Sequence, residues 1–571
     1  MRYRISCHIK TDEMLGKGNI SVDRAVKFME EIYYNGNIIT MEEPDAESAI
    51  KNAPEAILVE NGMIKQVGML KELVAAAGRR VKYYNLEGHC LMPAFIDAHS
   101  HFVMSAQMSM CADLSCCKSF EDIIATLTQY IKKNKIREKH AVIGFGYDHN
   151  FLDEQKHPDK NVLDRVSKTI PILILHISGH LGCANSAALK MGKINPETLD
   201  PSGGHIGRLG DGKEPSGYLE ESALMILQKA IAGKVKRNAR HIMKDAQMIY
   251  LRHGITTVQD GATNMQGFKL LRILSLLRLL KLDVVAYPLM TAGGCGIVHK
   301  YGDTYKNYHN HLKIGGYKLV LDGSPQGKTA WMSQPYENSE GYKGYQWLSD
   351  KEVEKNIRIA LKEGKQILAH CNGDAASEQY LNAYERAAAV TKKGKNIRPV
   401  MIHCQTVRND QIDRMAKLGM IASVFIGHVW YWGDVHMRNF GIERGRRISP
   451  VSDMIMRDVM VNFHQDTPVT KPDMLHSVWC AVNRISRSGK VIGEEQKIPV
   501  YDALKAITVN AAYQYFEEKE KGTIKKGKRA DFVVLDRSPL EVDQMELKDI
   551  IIMKTIKDGK VLYDAYSAHS F

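Results

Sequence analysis

Apolar runs of strand length alternate with amphipathic helical segments through the middle of the chain, which predicts an α/β fold. Segments 352–364 and 409–419 have the helical pattern, and similar segments separate most of the apolar runs. A repeated strand–helix order is typical of a parallel sheet or barrel. Eight such units predict a TIM-like (β/α)₈ barrel over residues 91–509. The eight apolar runs are 91–97, 254–260, 283–289, 315–321, 366–370, 399–403, 420–425 and 459–465.

Both ends of the chain have another pattern, in which short alternating strands flank Gly-containing turns and predict β-hairpins. The economical arrangement is one small composite β-sandwich domain, built from residues 32–90 and 510–571. Residues 1–31 lack a clear pattern, and we expect them to form an N-terminal extension. The four strand–turn–strand segments are 31–41, 56–68, 522–536 and 551–564.

The distance between the first two apolar runs is too long for one connection of a barrel. Residues 103–250 separate them and contain apolar runs of their own, AVIGFGYD and PILILHISGH. We therefore expect an inserted subdomain after the first barrel strand. It covers about residues 103–235 and is predicted to lie over the mouth of the active site as a lid.

Composition and charge argue against several classes of protein. The formal net charge of +13 comes without a zinc-finger, aromatic-rich or basic-helix pattern, so we expect a solvated basic surface and no nucleic-acid partner. The 10 cysteines form no C-x-x-C pair and suggest no disulfide framework. We find neither a signal-peptide pattern nor an apolar run of about 18 residues, so we expect no membrane partner and a cytoplasmic location.

Side chains that can bind a metal follow the predicted strands, at the end where barrel enzymes carry their active sites. Imidazole and carboxylate are ligands that Zn²⁺ and similar divalent ions take. A single strand-end histidine is more often structural, and the chain has 22 histidines, but several such residues at successive strand ends form a joint pattern. This pattern predicts a metal site. Its candidate residues are His99, His101, Lys318, His370, His403 and Asp466.

Longer motifs around these residues resemble the metal-dependent amidohydrolase superfamily, and within it the branch that includes N-substituted formamide deformylases. The resemblance extends from about residue 32 to about residue 566. It implies the TIM-like barrel, one or two divalent ions, most often Zn²⁺, and hydrolysis of a carbon–nitrogen bond. Motifs that carry it include MPAFIDAHSHF, GHLGCANSAAL, GITTVQDG, KLVLDGSPQGKTA, AHCNGD, IHCQTVRNDQIDRMAKLG, HQDTPV and GTIKKGKRADFVVLD.

The resemblance also implies a role for each strand-end residue. The two histidines after the first strand match one metal pair, and His370 and His403 match the ligands of a second metal. Lys318 matches a lysine that is N-carboxylated and bridges two metals. An unmodified ammonium, with a pKa near 10.4, would repel a metal ion, and carboxylation removes that repulsion. Asp466 matches a metal ligand that also accepts a proton from water and passes it to the leaving nitrogen.

The implied activity is hydrolysis of a carbon–nitrogen bond other than a peptide bond, in a linear or cyclic amide of the N-formyl or N-acyl amine type. A metal-activated hydroxide, whose parent water has a pKa lowered from 15.7 to about 7, attacks the carbonyl carbon. Two alternatives stay open: a deaminase of an aminated ring in the same superfamily, and a non-catalytic regulatory or binding protein. Lys318, His370 and His403 together favour the amide hydrolases. The expected partner is a small-molecule substrate, and a homodimer is the hypothesis for assembly.

Four more residues are candidates for substrate binding. His180 lies in the insertion and either reaches the substrate or caps the helix that begins near Asn185. Asp322 follows the fourth strand and either shapes a substrate loop or forms a simple turn. His428 and Trp430 follow the seventh strand, as does a second tryptophan two residues later, and they either line the pocket or pack inside the protein.

Two positions depart from the pattern of the family. Ala94 stands where the family usually has glycine, and alanine restricts the backbone more. His464 and Gln465 stand where a small Gly-Ser pair usually precedes the aspartate. Their bulk is expected to narrow the site, to change its substrate preference, or to add a third nitrogen near the metals.

Overall fold

The computed structural model describes the chain in five stretches, which form two compact units. One unit comprises Ser105–Asp245, and the other comprises the described residues up to Met104 and from Ala246 onward. Of the predicted N-terminal extension, only residues 30 and 31 are described. The described residues are 30–176, 181–210, 212–235, 239–391 and 397–567.

Strands and helices alternate along most of the described chain, as the apolar pattern predicts. None of the helices within the described stretches is long and apolar enough to cross a bilayer. The strands are β1 (Glu30–Tyr34), β2 (Asn37–Ile38), β3 (Ala56–Glu60), β4 (Met63–Gly68), β5 (Val81–Asn85), β6 (Cys90–Pro93), β7 (Phe95–Ile96), β8 (Ala112–Asp113), β9 (Val142–Tyr147), β10 (Ile172–His176), β11 (Leu181–Ala184), β12 (Gly204–Arg208), β13 (Pro215–Glu220), β14 (Ile255–Thr263), β15 (Asp283–Pro288), β16 (Leu312–Ile314), β17 (Gly316–Val320), β18 (Gln366–Cys371), β19 (Val400–His403), β20 (Ile421–Val424), β21 (Val461–Phe463), β22 (Phe532–Leu535), β23 (Ile552–Lys557) and β24 (Lys560–Asp564). The α-helices are α1 (Ala46–Lys51), α2 (Leu70–Ala76), α3 (Phe102–Met108), α4 (Phe120–Lys133), α5 (Lys160–Asp164), α6 (Ser186–Met191), α7 (Glu221–Ile231), α8 (Ala239–Leu251), α9 (Met265–Leu276), α10 (Gly294–Tyr301), α11 (Asp350–Glu363), α12 (Asp374–Val390), α13 (Asn409–Leu418), α14 (His428–Gly445), α15 (Val451–Ile455), α16 (Met474–Asn483), α17 (Val500–Ala506) and α18 (Val509–Gln514).

Two sheets at the ends of the chain are assembled from non-consecutive strands. One sheet has the order β4-β3-β1-β5, and the other has the order β2-β6-β22-β23-β24. The hairpin predicted over residues 56–68 is present, because Asn61 and Gly62 both adopt the positive φ that its tight turn requires. The hairpin predicted over residues 31–41 is wrong. Strand β1 pairs with β3 on one side and β5 on the other, so β2 joins the second sheet instead.

Parallel strands of the larger unit form two further sheets, in the orders β16-β15-β14-β7 and β17-β18-β19-β20-β21. Every neighbouring pair in them is parallel. Apart from the short β16, these are strands of the eight apolar runs, and they confirm the α/β class. Among the described residues, however, their ladders form two sheets and not one closed ring. Helices such as α11 and α13 follow the strands and bury their apolar faces.

The first predicted strand, residues 91–97, is divided between two sheets. Strand β6 pairs with β2 and β22 of the terminal sheet, whereas β7 pairs with β14 of the parallel sheet. The chain passes from one sheet to the other at Ala94, whose backbone N–H donates to the Asp531 carbonyl at 2.9 Å. Ala94 is not among the residues with positive φ, so alanine adds no backbone strain at this position.

The unit Ser105–Asp245 contains a mixed sheet of its own, in the order β12-β13-β11-β10-β9-β8. Its strands β9 and β10 correspond to the two apolar runs that the sequence predicts in the insertion. They are parallel neighbours, so their carboxyl ends lie side by side. The side chain of Asn185 caps helix α6 by accepting from the Ala188 backbone N–H at 2.9 Å.

A buried ion network joins the start of β15 to the C-terminal part of the larger unit. The Asp283 carboxylate accepts from the Lys521 ammonium at 2.5 Å and from the Lys557 ammonium, at the end of β23, at 2.7 Å. Its second oxygen lies 2.7 Å from Nδ1 of His311. Burial alone would raise the pKa of Asp283, but the two lysine charges hold it well below its ordinary value. The terminal sheet is therefore held to the parallel strands by charge as well as by packing.

We expect Asp283→Asn to lower the free energy of unfolding by about 1.5–3 kcal/mol, because two buried lysines each lose a charged hydrogen-bond acceptor. The loss is limited because Lys521 keeps Glu517 and Lys557 keeps Asp531 as carboxylate partners. Denaturant titration followed by circular dichroism measures this loss. A carboxyl group with a depressed folded-state pKa contributes its stability above about pH 4, and this contribution disappears as the pH falls through the folded-state value. The difference between variant and wild type should therefore shrink in acid.

Glu494→Gln is the matched control for this prediction. The Glu494 side chain is 80% exposed and pairs with Lys497 only at the surface, where ion pairs contribute little. We expect no measurable change for this variant. Equal changes for Asp283→Asn and Glu494→Gln would contradict the role assigned to Asp283.

Candidate active site

The six predicted residues all lie in the larger unit, either within parallel strands or just after their carboxyl ends. Two histidines follow β7, the lysine lies within β17, and one histidine each lies in β18 and β19. The aspartate follows β21. Three of them are fully buried, and the other three are partly exposed and form the open side of the cluster. The buried ones are His99, Lys318 and His403, and the partly exposed ones are His101, His370 and Asp466.

One half of the cluster surrounds the Asp466 carboxylate. Its Oδ1 atom lies 3.4 Å from Nε2 of His99 and 3.2 Å from Nε2 of His101. The Lys318 amine lies 3.2 Å from the same His99 nitrogen. Two imidazole nitrogens, an amine and a carboxylate oxygen thus meet around one small volume.

The other half of the cluster consists of two histidines from adjacent strands. Nδ1 of His370 and Nε2 of His403 lie 2.9 Å apart. His403 also links the two halves, because ligand atoms of His99, His403 and Asp466 all lie within 4.8 Å of one another. All six predicted residues are therefore gathered in one place, although residues 99 and 466 are far apart in the sequence.

Gln259 of β14 fixes the orientation of the His99 ring. The Gln259 amide nitrogen donates to the Ala98 carbonyl at 2.8 Å and lies 3.2 Å from the Tyr515 hydroxyl, so its oxygen faces Nδ1 of His99. An amide oxygen only accepts, so Nδ1 of His99 carries the proton. Burial holds the pKa of His99 well below its ordinary value, and the ring is neutral. Its Nε2 lone pair therefore points into the cluster.

The backbone of β14 orients the second histidine in the same way. Nδ1 of His101 lies 2.7 Å from the Gly261 carbonyl oxygen, which also only accepts. Its Nε2 atom is thereby directed at Asp466. This position also requires glycine, because a Cβ atom on Gly261 would lie 2.6 Å from Cε1 of His99. Strand β14 thus supplies an acceptor for each histidine and the space for one of them.

This arrangement of donor atoms fits a divalent cation. A neutral His99 presents a lone pair to the carboxylate oxygen of Asp466 at 3.4 Å, and two electron-rich atoms at that distance repel each other. A cation between them converts the repulsion into coordination, with ligand types that suit Zn²⁺ and related ions. The hydrogen bonds from Nδ1 to acceptors are the usual support of metal-binding histidines.

Burial changes the pKa of the charged groups in the cluster. It lowers the pKa of Lys318 to about 7, so a large part of this amine is neutral at pH 7. Burial alone would raise the pKa of Asp466, but the hydrogen bond and charge of His101 hold it below its ordinary value. The aspartate is therefore ionised at neutral pH and supplies a full negative charge.

Two of the six residues have a strained backbone. His403 has a φ of 77° and Asp466 a φ of 52°, both in the left-handed region that side chains other than glycine rarely adopt. Such strain is maintained only when the surrounding structure fixes the residue, and it is typical of functional sites. The strain lies at the points where β19 and β21 end and their side chains turn into the cluster.

His464 adds another imidazole beside the six predicted residues. Its ring centroid lies 5.1 Å from that of His99 and 5.2 Å from that of His403. The side chain is fully buried, and neither ring nitrogen has a hydrogen-bond partner among the described residues. Burial lowers its pKa to about 3, so the ring is neutral. The bulk that the sequence predicts before Asp466 thus stands directly against the candidate ligands.

The Asp322 carboxylate is occupied by the backbone. One oxygen accepts from the Asn372 N–H at 3.0 Å, and the other accepts from Gly373 and Trp331 at 2.7 and 3.0 Å. The same carboxylate lies 3.6 Å from Nε2 of His370. Asp322 therefore joins the loops that follow β17 and β18, and its predicted contact with substrate stays a prediction.

The aromatic residues after β20 lie on two sides of α14. The rings of His428 and Trp432 pack against Phe425, which is 5.4 Å from the His464 ring. Trp430 instead packs against Trp479 of α16, with ring centroids 5.5 Å apart. Helical spacing of four residues brings Trp432, and not Trp430, to the side of His428.

Gln259 and Gly261 received no functional role from the sequence, although both lie in the motif GITTVQDG. A polar residue at the carboxyl end of the strand beside β7 is the signal that could have identified Gln259. The remaining substrate candidate, His180, lies outside the described residues.

Comparison with known proteins agrees with this geometry. A family model described as the amidohydrolase family matches residues 82–563. N-substituted formamide deformylase of Arthrobacter pascens is 26% identical, over 93% of this chain and 97% of the relative. Protein LONG AFTER FAR-RED 3 of Arabidopsis thaliana is also 26% identical, over 93% of this chain and 91% of the relative.

A solved structure supports the fold. The crystal structure of an uncharacterized metal-dependent hydrolase from Pyrococcus horikoshii superposes with a TM-score of 0.70 at 24% identity, and the match covers 90% of this chain and 99% of that chain. The family match extends over most of the chain, from the terminal sheets through all the parallel strands. This chain therefore belongs to the amidohydrolase family, is similar in sequence to an N-substituted formamide deformylase, and is a hydrolase that acts on carbon–nitrogen bonds.

Proposed function

We propose that the protein hydrolyses a linear or cyclic amide of the N-formyl or N-acyl amine type, at a centre of one or two Zn²⁺ ions. The observation that carries this proposal is the convergence of inward-facing imidazole nitrogens on the Asp466 carboxylate. The residues that would hold the ions are His99, His101, Lys318, His370, His403 and Asp466.

We infer that the eight parallel strands complete a TIM-like (β/α)₈ barrel over residues 91–509. Two contacts at the gaps between the parallel sheets support this inference. A parallel bridge joins Leu289 after β15 to Lys318 of β17. The His101 backbone N–H, after β7, donates to the Thr467 carbonyl, after β21, at 2.7 Å. The candidate ligands then lie at the carboxyl ends of the strands, where barrel enzymes have their active sites.

A divalent cation bound there would supply Lewis acidity, which polarises a carbonyl and lowers the pKa of water from 15.7 to about 7. The protein's own residues supply the proton transfer and the positioning. Asp466 is ionised and lies on the partly exposed side of the cluster, so it can accept a proton from the attacking water. It can then return that proton to the leaving nitrogen, a contribution of roughly 10²–10⁴-fold to the rate.

Lys318 fits the role of an N-carboxylated ligand. Carboxylation joins the amine nitrogen to the carbon of CO₂ and releases one proton, so it requires a neutral amine. Burial supplies this form, because it lowers the pKa of the amine to about 7. The product would be an anion, which would add a negatively charged oxygen ligand beside the ionised Asp466 and suit a site for divalent cations.

The amide assignment also draws on the relatives. A relative that matches 93% of this chain is named N-substituted formamide deformylase. The buried His464 ring occupies space beside His99 and His403, so the substrate must fit beside an additional imidazole. We therefore expect a small acyl group, such as formyl, on the side of the cluster that His464 restricts.

Removal of metal should abolish the activity, because the proposed centre supplies the attacking water. Chelator-treated protein is assayed against N-formyl, N-acetyl and cyclic amides, first without metal and then after Zn²⁺ is added back. We expect loss of turnover in the chelated sample and recovery on addition of Zn²⁺. Full turnover after chelation would contradict the proposal. Release of ammonia from an aminated ring, without amide hydrolysis, would assign the centre to a deaminase.

Gln259→Met should weaken metal binding about 10- to 100-fold, because Nδ1 of His99 loses its acceptor. Competition for Zn²⁺ with a chromogenic chelator measures the affinity. Gln259→Glu keeps an acceptor oxygen at the same place and should retain most of the wild-type zinc affinity.

Gln379→Met is the control for the lost glutamine. Gln379 lies in helix α12 and is also buried. Its amide donates to the Leu348 carbonyl and to Asp350, and to none of the candidate ligands. Its loss should cost stability and leave zinc affinity unchanged. An equal drop in zinc affinity for both methionine variants would show that Gln259 acts on folding and not on His99.

A further inference from the structure

A second group of metal-binding side chains lies in the unit Ser105–Asp245. Asp148 and His149 directly follow β9, and His176 is the last residue of the neighbouring parallel strand β10. Nε2 of His176 lies 3.4 Å from Oδ1 of Asp148 and 3.3 Å from Nδ1 of His149. The third side of this triangle, from His149 Nδ1 to Asp148 Oδ1, measures 3.8 Å.

The three distances match the face of a coordination tetrahedron. Zn²⁺ holds nitrogen and oxygen ligands at about 2.0–2.2 Å, so its tetrahedral ligands lie about 3.4 Å from one another. A group held together by hydrogen bonds alone would have its closest contacts near 2.7–3.0 Å. The three contacts here are 3.3, 3.4 and 3.8 Å, so all are longer than such hydrogen bonds and lie around the edge length of a zinc tetrahedron.

Local backbone features bring the three ligands together. Gly146 has a φ of 98°, and the pairing of β9 with β10 shifts register between Leu175 and His176. A residue with a Cβ atom would be strained at that φ, so this bend in β9 depends on glycine. The backbone N–H and side chain of Asn150 donate to Oδ1 of Asp148 at 2.9 and 3.0 Å and hold the carboxylate in position.

The ring of His157 supports His149 from one side. The two rings are stacked with centroids 4.0 Å apart, and the Tyr147 hydroxyl lies 3.0 Å from Nδ1 of His157. Burial and the neighbouring imidazoles lower the pKa of His157 to about 4. Burial also lowers the pKa of His176. His157 is therefore neutral at pH 7 and stacks on His149 without adding a charge.

An ion can reach this group from solvent. The side chain of His149 is 28% exposed and that of Asp148 is 20% exposed, whereas His176 is almost buried. Three protein ligands leave at least one coordination position for water.

We propose that Asp148, His149 and His176 form a second cation site, which binds Zn²⁺ or a similar borderline divalent ion through two imidazoles and one carboxylate. It shares no residue with the cluster around Asp466, so it goes beyond the proposed amide hydrolysis and does not depend on it.

Zinc stoichiometry tests this site. Full-length protein is stripped of metal, dialysed to equilibrium against a Zn²⁺ concentration that saturates the wild type, and analysed by elemental mass spectrometry. We expect His149→Gln and Asp148→Asn each to bind one zinc per chain fewer than the wild type. Circular dichroism confirms that the variants are folded, and either folded variant suffices for the test.

His205→Gln is the matched control. His205 and Asp200 form an exposed pair in the same unit, 2.8 Å apart, but supply only two ligand atoms. This variant should keep the wild-type zinc count. The proposal is overturned if His149→Gln and Asp148→Asn also keep it.

His403→Asn separates the two centres. It removes a candidate ligand of the first cluster and should retain the zinc that His149→Gln loses. The double variant His149→Gln/His403→Asn should lose as much zinc as the two single variants lose together. If His403→Asn binds as much zinc as the wild type while His149→Gln binds one fewer, the first centre fails and the second stands.

Discussion

The direction of two imidazole Nε2 atoms is the constraint on which the site depends. Gln259 and the Gly261 carbonyl engage Nδ1 of His99 and of His101, so both Nε2 atoms face Asp466. Without a cation, a buried neutral His99 would present its lone pair to a carboxylate oxygen. The hydrogen bonds from β14 thus orient the two histidines in the way that the proposed metal centre requires.

The rest of the larger unit compensates for the groups that this cluster buries. Asp322 joins the loops after β17 and β18 through backbone hydrogen bonds, and Asp283 holds the terminal sheet to β15 through two lysines. The left-handed backbone of His403 lies at the end of β19, which is paired with β18 on one side and β20 on the other.

Much of the fold could be predicted because the parallel strands are apolar on both faces and each is followed by a helix. The candidate ligands could be predicted because imidazole and carboxylate recur where those strands end. The pairing partners of the strands could not be predicted, because pairing depends on contacts that are distant in sequence. For example, residues 31–41 form no hairpin, and residues 91–97 divide at Ala94 between two sheets. Gln259 escaped prediction because a glutamine has no metal-binding chemistry of its own and acts only through His99.

The most direct test of the account is X-ray diffraction from crystals of the zinc-loaded protein, collected on both sides of the zinc absorption edge. The account predicts an anomalous peak at about 2.0–2.2 Å from Nε2 of His99, Nε2 of His101 and a carboxylate oxygen of Asp466. An electron-density map with no such peak, and with a hydrogen bond between His101 and Asp466 in its place, would contradict the central claim.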